Sequence, residues 1–218
     1  MNTLNHFDLS AANWDAEPRR VELAKAIGMA ILREARPTSD DDLLDYGCGT
    51  GLLGLFLLPY VRSVTGADSS PGMLDVLRAK IRDDRIGGMI AIQLDLEKQP
   101  ALDKRFHMIV SSMVMHHVAN LDQVLRAFHD MLLPDGILCI ADLDAEPGNF
   151  HSADAAVSVR HRGFDRSEFK DRLAAALFTD IKVSTSHIVK KEIGGGEFRD
   201  FPVFLMVGRR KPQASDST

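Results

Sequence analysis

Three acidic residues, Asp45, Asp68 and Asp95, lie at the ends of short apolar stretches in the first half of the chain. Such stretches are typical of buried strands, and open α/β sheets bind ligands outside the carboxyl ends of their strands. Carboxylates there can accept hydrogen bonds from ligand hydroxyl or amino groups. Asp68 also has the spacing, about twenty residues past a glycine-rich turn, of an acid that binds ribose hydroxyls. The three acids together predict a site for an adenosine-type ligand.

A glycine-rich turn follows the first of these strands. Gly47, Gly49 and Gly51 alternate with Cys48 and Thr50, and an apolar, helix-compatible segment comes next. Glycine lets the main chain pass close to a ligand, and the N-terminus of the following helix offers unpaired N–H groups. The sequence therefore predicts a ligand-binding turn between a strand and a helix.

Two ligands are compatible with this turn. The stretch from Gly49 to Gly54 satisfies G-x-G-x-x-G, the dinucleotide fingerprint, in which a helix N-terminus holds a pyrophosphate. Asp45 argues against a dinucleotide, because a carboxylate beside the turn repels a doubly charged phosphate bridge. S-Adenosylmethionine has no phosphate, and its ammonium group favours a neighbouring carboxylate. NAD(P) is kept as the alternative ligand.

The stretch from Leu43 to Gly54 resembles motif I of the class I S-adenosylmethionine-dependent methyltransferases, and the resemblance extends from Asn13 to Arg210. In this family a carboxylate after the third strand binds the adenine amino group, and the next backbone N–H meets a ring nitrogen. Residues at the end of the fourth strand lie near the cofactor. The cofactor-binding residues predicted from the turn, the spacing and the resemblance are Trp14, Arg19, Asp45, Gly47, Cys48, Gly49, Thr50, Gly51, Asp68, Ser69, Met73, Asp95, Leu96, Ser112 and Met113.

The helix predicted from Glu17 to Ala35 has two interpretations. Its apolar residues recur with helical period, and Trp14 and Arg19 flank its start. In the first interpretation, Trp14 packs this helix onto the domain and Arg19 is solvated. The resemblance implies instead that the helix covers the cofactor, with Arg19 reaching the carboxylate of the methionine part.

Histidines supply the candidates for catalysis. His116 and His117 follow the fourth predicted strand, and His161 lies in a long connection from 145 to 165. By the resemblance, His117 faces the substrate as a general base or hydrogen-bond donor. Long connections inside a compact domain are usually functional, which makes His161 the second candidate. Structural roles are the alternative for both. No metal site is predicted, because adjacent histidines rarely point to one centre and no third ligand lies at motif spacing.

Strand and helix patterns alternate up to a C-terminal pair of strands joined by Gly194-Gly195-Gly196. We predict an α/β fold with a single Rossmann-like, doubly wound, seven-stranded sheet, mostly parallel with an antiparallel C-terminal hairpin. The resemblance places the seventh strand antiparallel between the fifth and sixth. One domain is predicted over 1–218: an N-terminal cover helix in 1–40, a core over 41–210 and a disordered tail over 211–218. Residues 1–12 are expected to be loosely held.

The composition excludes several classes of protein. The net charge of −5 comes without a dominant basic block, so nucleic acid is not an expected partner. No apolar run is long enough to span a membrane, and the N-terminus lacks the features of a signal peptide. The two cysteines, Cys48 and Cys139, lie in predicted core elements, which favours a reducing, cytoplasmic location. The oligomeric state is not predicted.

The predicted function is methyl transfer from S-adenosylmethionine to a small-molecule acceptor, leaving S-adenosylhomocysteine. The wording of the motifs is closest to the group that includes quinone-biosynthesis methyltransferases. Two alternatives stay open: an NAD(P)-dependent oxidoreductase, and a non-catalytic module that binds S-adenosylmethionine. The chain lacks the Tyr-x-x-x-Lys catalytic pair of such oxidoreductases, because its only tyrosines are Tyr46 and Tyr60. This argues against the first alternative.

Overall fold

The structure is a computed structural model, which describes residues 6–151 and 156–211. The helices are α1 (His6–Ser10), α2 (Pro18–Glu34), α3 (Leu52–Leu57), α4 (Pro71–Asp83), α5 (Leu121–Met131) and α6 (Arg166–Ala175). The strands are β1 (Asp42–Tyr46), β2 (Ser63–Asp68), β3 (Met89–Gln93), β4 (Phe106–Ser112), β5 (Leu132–Leu143), β6 (Phe178–Gly194) and β7 (Glu197–Arg210). Short 3-10 helices occupy Ala11–Ala16, Leu58–Tyr60 and Met115–His117.

The strands form one sheet of seven in the order β3-β2-β1-β4-β5-β7-β6 within the described residues. Strands β1 to β5 pair in parallel, while β7 pairs antiparallel with both β5 and β6. Both the predicted fold class and the predicted place of the seventh strand are confirmed. The strand order reverses between β1 and β4, so the sheet has a switch point at the end of β1, where the glycine turn begins.

Helices cover both faces of this sheet, which is why its central strands are continuous apolar runs rather than alternating ones. Leu43 and Leu44 of β1 are both buried. One core layer contains the buried residues of α2, α3 and α4, and the other contains those of α5 and α6. The two layers hold the carboxyl ends of β1, β2 and β4 in fixed positions.

The N-terminal segment differs from the expectation. Residues 6–10 form α1, which packs against α4, whereas the sequence suggested a loosely held segment over 1–12. The predicted tail from Lys211 lies almost wholly outside the described residues. Strand β5 begins at Leu132 and continues through Pro134, Asp135 and Gly136. In the described part of the chain, no helix combines the length and apolar character that crossing a membrane requires.

Candidate functional site

The turn after β1 is attached to β2 by its own backbone. The N–H groups of Gly47 and Cys48 both donate to the Ala67 carbonyl, at 2.7 and 3.0 Å. Gly47, Gly49 and Gly51 have φ of +72°, +54° and +87°, values that glycine adopts far more readily than other residues. Cys48 and Thr50 between them are buried, and burial raises the pKa of the Cys48 thiol, so this cysteine is unreactive.

The three glycines have different surroundings. A Cβ atom added to Gly47 would lie 2.2 Å from Val114 Cγ2, and one added to Gly51 would lie 2.5 Å from Leu77 Cδ1. At Gly49 the nearest atom would be Met73 Sδ at 3.9 Å. Packing therefore requires glycine at the outer two positions, whereas Gly49 borders open space. This is the point at which a ligand can approach the main chain, as the predicted cofactor requires.

Asp68 connects the end of β2 to the glycine turn. Its Oδ2 accepts the Gly49 N–H and its Oδ1 accepts the Ser70 N–H, both at 2.8 Å. Burial raises the pKa of Asp68, while these N–H donors act in the opposite direction. Each carboxylate oxygen keeps a second lone pair for a ligand hydroxyl. Of the other predicted residues here, Ser69 is exposed and Met73 is buried beside Gly49.

Asp45 lies buried beneath the turn, with 1% of its surface exposed. Its Oδ2 has no hydrogen-bond partner among the described residues. Burial, with a smaller contribution from the charge of Asp68, raises the pKa of Asp45 to about 7, although the Gly54 N–H opposes this shift. An unsatisfied buried polar atom costs about 1–3 kcal/mol, so this carboxyl is a costly feature of the turn. The predicted attraction of a ligand ammonium group by Asp45 stays a prediction.

Asp95 and Leu96 follow β3. The carboxylate of Asp95 pairs with Lys98 at 2.7 Å and accepts the Glu97 N–H at 3.1 Å. The N–H of buried Leu96 donates to the Tyr46 hydroxyl at 3.2 Å. The amide that the resemblance assigns to an adenine nitrogen therefore has a protein partner here. Binding adenine in that way requires the Tyr46 hydroxyl to give up this hydrogen bond.

Residues 6–16 lie across the carboxyl edge of β1 and β2 and form a cover over it. Asp8 accepts hydrogen bonds from the Ser70 hydroxyl and, at 3.0 Å, from the Gly72 N–H. Asp15 accepts the Thr50 hydroxyl and pairs with Lys80. These contacts join the N-terminal segment to the glycine turn and to the start of α4. Sequence reasoning missed both acids, since single aspartates in a polar segment carry no motif.

Trp14 and Arg19 have partners inside the N-terminal segment itself. The Arg20 guanidinium lies 3.6 Å from the centroid of the Trp14 ring. Arg19 pairs with Glu17 at 3.0 Å, and about half of its side chain is exposed. In this structure Trp14 is packed and Arg19 is half exposed, as the structural interpretation of both residues expects. Their predicted roles in cofactor binding stay predictions.

The end of β4 leads directly into the histidine pair. Ser112 is half-buried, and Met113 has a φ of +58° with its N–H donating to the Ala141 carbonyl at 2.8 Å. This turn brings Val114 against Gly47. The segment that leads into His116 and His117 therefore packs directly against the glycine turn through Val114.

His116 and Asp142 form a buried pair. His116 Nδ1 lies 2.7 Å from Asp142 Oδ1, and the His116 backbone N–H donates to Asp142 Oδ2 at 3.2 Å. The exposed fraction of the His116 side chain is 1%, and that of Asp142 is 0%. With Nδ1–H donating to the carboxylate, Nε2 is the remaining ring nitrogen, and it has no partner among the described residues.

His117 and His151 lie beside this pair. The ring centroids of His116 and His117 are 4.1 Å apart, and the His151 ring lies 4.9 Å from the first and 5.6 Å from the second. His117 Nδ1 lies 3.0 Å from the Ser158 carbonyl, and Phe7 of the cover packs edge-on against the ring at 5.1 Å. Burial first, and the neighbouring His116 second, lower the pKa of His117 and of His151 to about 4. Both are neutral at pH 7.

A third histidine joins the adjacent pair, although the spacing of the histidines along the chain predicted no metal site. One ligand nitrogen from each of His116, His117 and His151 lies within 4.8 Å of the other two. The adjacent pair therefore supplies two closely spaced ligand nitrogens, and the third histidine comes from the connection after β5. Its distance along the chain hid it from any motif-spacing argument.

His161 lies outside this cluster. Its Nε2 is 2.9 Å from the Val118 carbonyl, and its ring packs against Phe164 at 5.3 Å. These contacts fasten the connection after β5 to the end of the Met115–His117 turn, as in the structural alternative. A catalytic role for His161 stays a prediction.

Residues 44–140 match a family model described as a methyltransferase domain. An uncharacterized methyltransferase of Schizosaccharomyces pombe is 31% identical over 71% of this chain and 62% of its own length. A ubiquinone biosynthesis O-methyltransferase of Ruegeria pomeroyi is 30% identical over 60% of this chain and 52% of its own. The chain thus spans half to somewhat under two thirds of these relatives.

A solved methyltransferase structure has a similar fold. Phosphoethanolamine N-methyltransferase 2 of Haemonchus contortus, solved with S-adenosyl-L-methionine, superposes with a TM-score of 0.68 at 16% identity. The match covers 85% of this chain and 52% of that one. Sheet order, glycine turn and sequence matches agree with a class I S-adenosylmethionine-dependent methyltransferase domain, which the family model places at residues 44–140.

Proposed function

We propose that this chain transfers a methyl group from S-adenosylmethionine to a small-molecule acceptor at the carboxyl edge of β1 and β4. The observation that carries this proposal is the open side of Gly49. It is the glycine of the turn at which an added Cβ would meet no atom closer than 3.9 Å. It lies at the switch point of the sheet, where open α/β folds bind their ligands.

The cofactor brings a sulfonium methyl group that needs no activation by the protein. The chain's own residues then have three tasks: binding, placement of the acceptor in line, and exclusion of water. Asp68 and the backbone of the glycine turn serve binding. The cover, held by Asp8 and Asp15, serves exclusion of water, because it closes this edge with Phe7 and the residues around it.

A small-molecule acceptor is supported by the site and by the relatives. The segment after Val114, which contacts Gly47, brings together the rings of Phe7, His117 and His151 rather than a cluster of basic side chains. The net charge of −5 does not favour nucleic acid. The names of the ubiquinone biosynthesis and phosphoethanolamine relatives both refer to small molecules. Two buried cysteines without a disulfide are consistent with the proposed cytoplasmic location.

His117 is the residue proposed to face the acceptor. Since Nδ1 bonds to the Ser158 carbonyl, Nε2 is the nitrogen available to the acceptor. When the acceptor is a hydroxyl, the methyl carbon bonds to its oxygen as the carbon–sulfur bond breaks. The hydroxyl proton must then leave, either to Nε2 of His117 or to solvent.

Thermal unfolding with S-adenosylhomocysteine, and separately with NAD and NADP, tests the cofactor. A ligand of the folded state at a hundredfold over its Kd adds about 2.7 kcal/mol to the stability. We expect S-adenosylhomocysteine alone to raise the midpoint and Gly49→Ala to abolish the rise, because its Cβ would occupy the open side of the turn. A rise with a nicotinamide nucleotide alone would show the protein to be a dinucleotide enzyme.

Labelled methyl transfer tests the acceptor class. The protein is incubated with methyl-tritiated S-adenosylmethionine and either a small-molecule filtrate or the macromolecules of the same cell extract. We expect label in the filtrate only, and none with Gly49→Ala. Label in protein or RNA instead would refute the small-molecule acceptor. Cofactor binding without label in any fraction would favour the non-catalytic module.

A further inference from the structure

We propose that His116, His117 and His151 form a binding site for one divalent transition-metal ion of the zinc type. The three imidazoles come from two separate segments, the Met115–His117 turn and the connection after β5. One ligand nitrogen from each lies within 4.8 Å of the other two. Rings from distant segments meeting at one point distinguish this cluster from a surface group of histidines.

His116 is already oriented as a ligand. Its Nδ1 bonds to Asp142, which is itself held because its Oδ1 accepts the Leu143 N–H at 2.7 Å. A metal-bound histidine commonly donates its other ring N–H to a carboxylate in this way, which fixes the tautomer and the direction of the ring. The opposite nitrogen, Nε2, is buried without a partner among the described residues. A metal ion would satisfy it.

His117 repeats the pattern with a backbone carbonyl in place of the carboxylate. Its Nδ1 lies 3.0 Å from the Ser158 carbonyl, which leaves Nε2 as the ligand atom. Three nitrogens bound to tetrahedral zinc at about 2.0–2.1 Å lie about 3.4 Å apart. The ligand nitrogens, now up to 4.8 Å apart, must therefore approach one another by roughly 1.4 Å at most. Small rotations of the side chains supply this movement.

The donor set selects the type of ion. Three imidazoles suit zinc, cobalt, nickel or copper, whereas magnesium and calcium require oxygen ligands. Catalytic zinc sites have three protein ligands and leave one position for water or substrate. With the ion bound, Nε2 of His117 is a ligand and takes no proton. An acceptor oxygen bound at the open position would then lose its proton to solvent, and more readily than it does in water. This consequence rests on the proposed methyl transfer, while the metal site itself does not.

Cobalt binding tests the site directly. The untagged 218-residue chain is stripped with a chelator and titrated with Co²⁺, with the visible d–d absorption as the readout. Zn²⁺ affinity is then measured by competition with a chromophoric chelator. We expect one Co²⁺ per chain, with affinity lower by at least about tenfold in His117→Ala and in His151→Ala. His187→Ala on β6, away from the cluster, is the matched control and should bind as the wild type does.

The result that overturns the proposal is wild-type protein that takes up no stoichiometric Co²⁺ or Zn²⁺ at micromolar metal. Binding that is unchanged in both alanine variants overturns it equally. His116→Ala is avoided because it would leave Asp142 without its partner. His117→Gln and His151→Gln replace any alanine variant that fails to fold. A protein that takes up no metal in the titration, but whose midpoint S-adenosylhomocysteine raises, would refute this site and leave the proposed function intact.

Discussion

The cofactor side and the histidine side of this site are adjacent but are built by different means. The glycine turn is consecutive in sequence. Its own N–H groups hold it in place by donating to the Ala67 carbonyl and to the Asp68 carboxylate. The histidine cluster comes from two separate segments and is held by side chains, above all the buried contact of His116 with Asp142. Substitutions on the first side should act through an added Cβ and the backbone. Those on the second should act by leaving buried polar groups without partners.

The largest effect should come from Asp142→Ala, which would break the histidine side. The substitution removes the acceptor of the His116 ring, the His116 N–H and the Leu143 N–H in a fully buried position. We expect the free energy of unfolding, measured in urea, to fall by about 3–5 kcal/mol.

Asp144→Ala is the matched control. Asp144 lies two residues further on and pairs with Arg166 at a partly exposed site, so its loss should cost about 1 kcal/mol or less. Equal losses for the two variants would show that the buried pair does not hold the histidine side.

Asp45→Asn should change the pH dependence of stability on the cofactor side. The pKa of Asp45 rises from 3.8 to about 7 on folding. Between these values the unfolded chain releases the proton while the folded chain keeps it, so stability falls as the pH rises. Over this range the wild type loses up to about 4 kcal/mol through this group.

The asparagine variant has no proton to release. Its stability relative to the wild type should therefore increase from pH 4 to pH 7, as measured by urea unfolding at several pH values. Parallel curves for the two proteins would mean that the pKa of Asp45 is not raised.

Gly47→Ala and Gly49→Ala should separate the two functions of the turn. An alanine at either position must adopt a left-handed backbone conformation, which lowers the free energy of unfolding by about 1–2 kcal/mol. At Gly47 it also meets Val114, so the total loss in the free energy of unfolding should be about 2–4 kcal/mol. The double variant Gly47→Ala, Val114→Ala should recover part of this loss, and equal losses for the two single variants would contradict the packing argument.

The smallest effect should come from the cover. Asp15→Ala removes the acceptor of the buried Thr50 hydroxyl. We expect S-adenosylhomocysteine affinity to fall by about fivefold, or about 1 kcal/mol. Trp14, the only tryptophan, provides the fluorescence signal. Arg33→Ala removes an exposed pair with Glu34 at the far end of α2; it is the control and should bind as the wild type does.

The sequence was sufficient for the fold and for the glycine turn because both depend on local patterns. Apolar runs, the acids that end them and the alternating glycines lie within a few residues of one another. The place of β7 came from the family resemblance, and the pairing of Ala141 with Leu205 and its neighbours confirms it.

The histidine side could not be predicted in the same way. His151 meets His116 only after the chain has folded, and Asp142 carries no mark in the sequence of being their buried partner. The contact of Asp8 with Ser70 likewise joins residues 62 positions apart. Tertiary packing decides such contacts, and no periodicity or spacing records them.

The position of Phe7 has a consequence for the order of events in turnover. Phe7 belongs to the cover, which closes over the glycine turn, yet its ring lies against His117 on the opposite side of the site. If the cofactor exchanges only when the cover lifts, the acceptor side loses one of its walls during that exchange. Cofactor should therefore enter first and acceptor second, and S-adenosylhomocysteine should be the last product to leave.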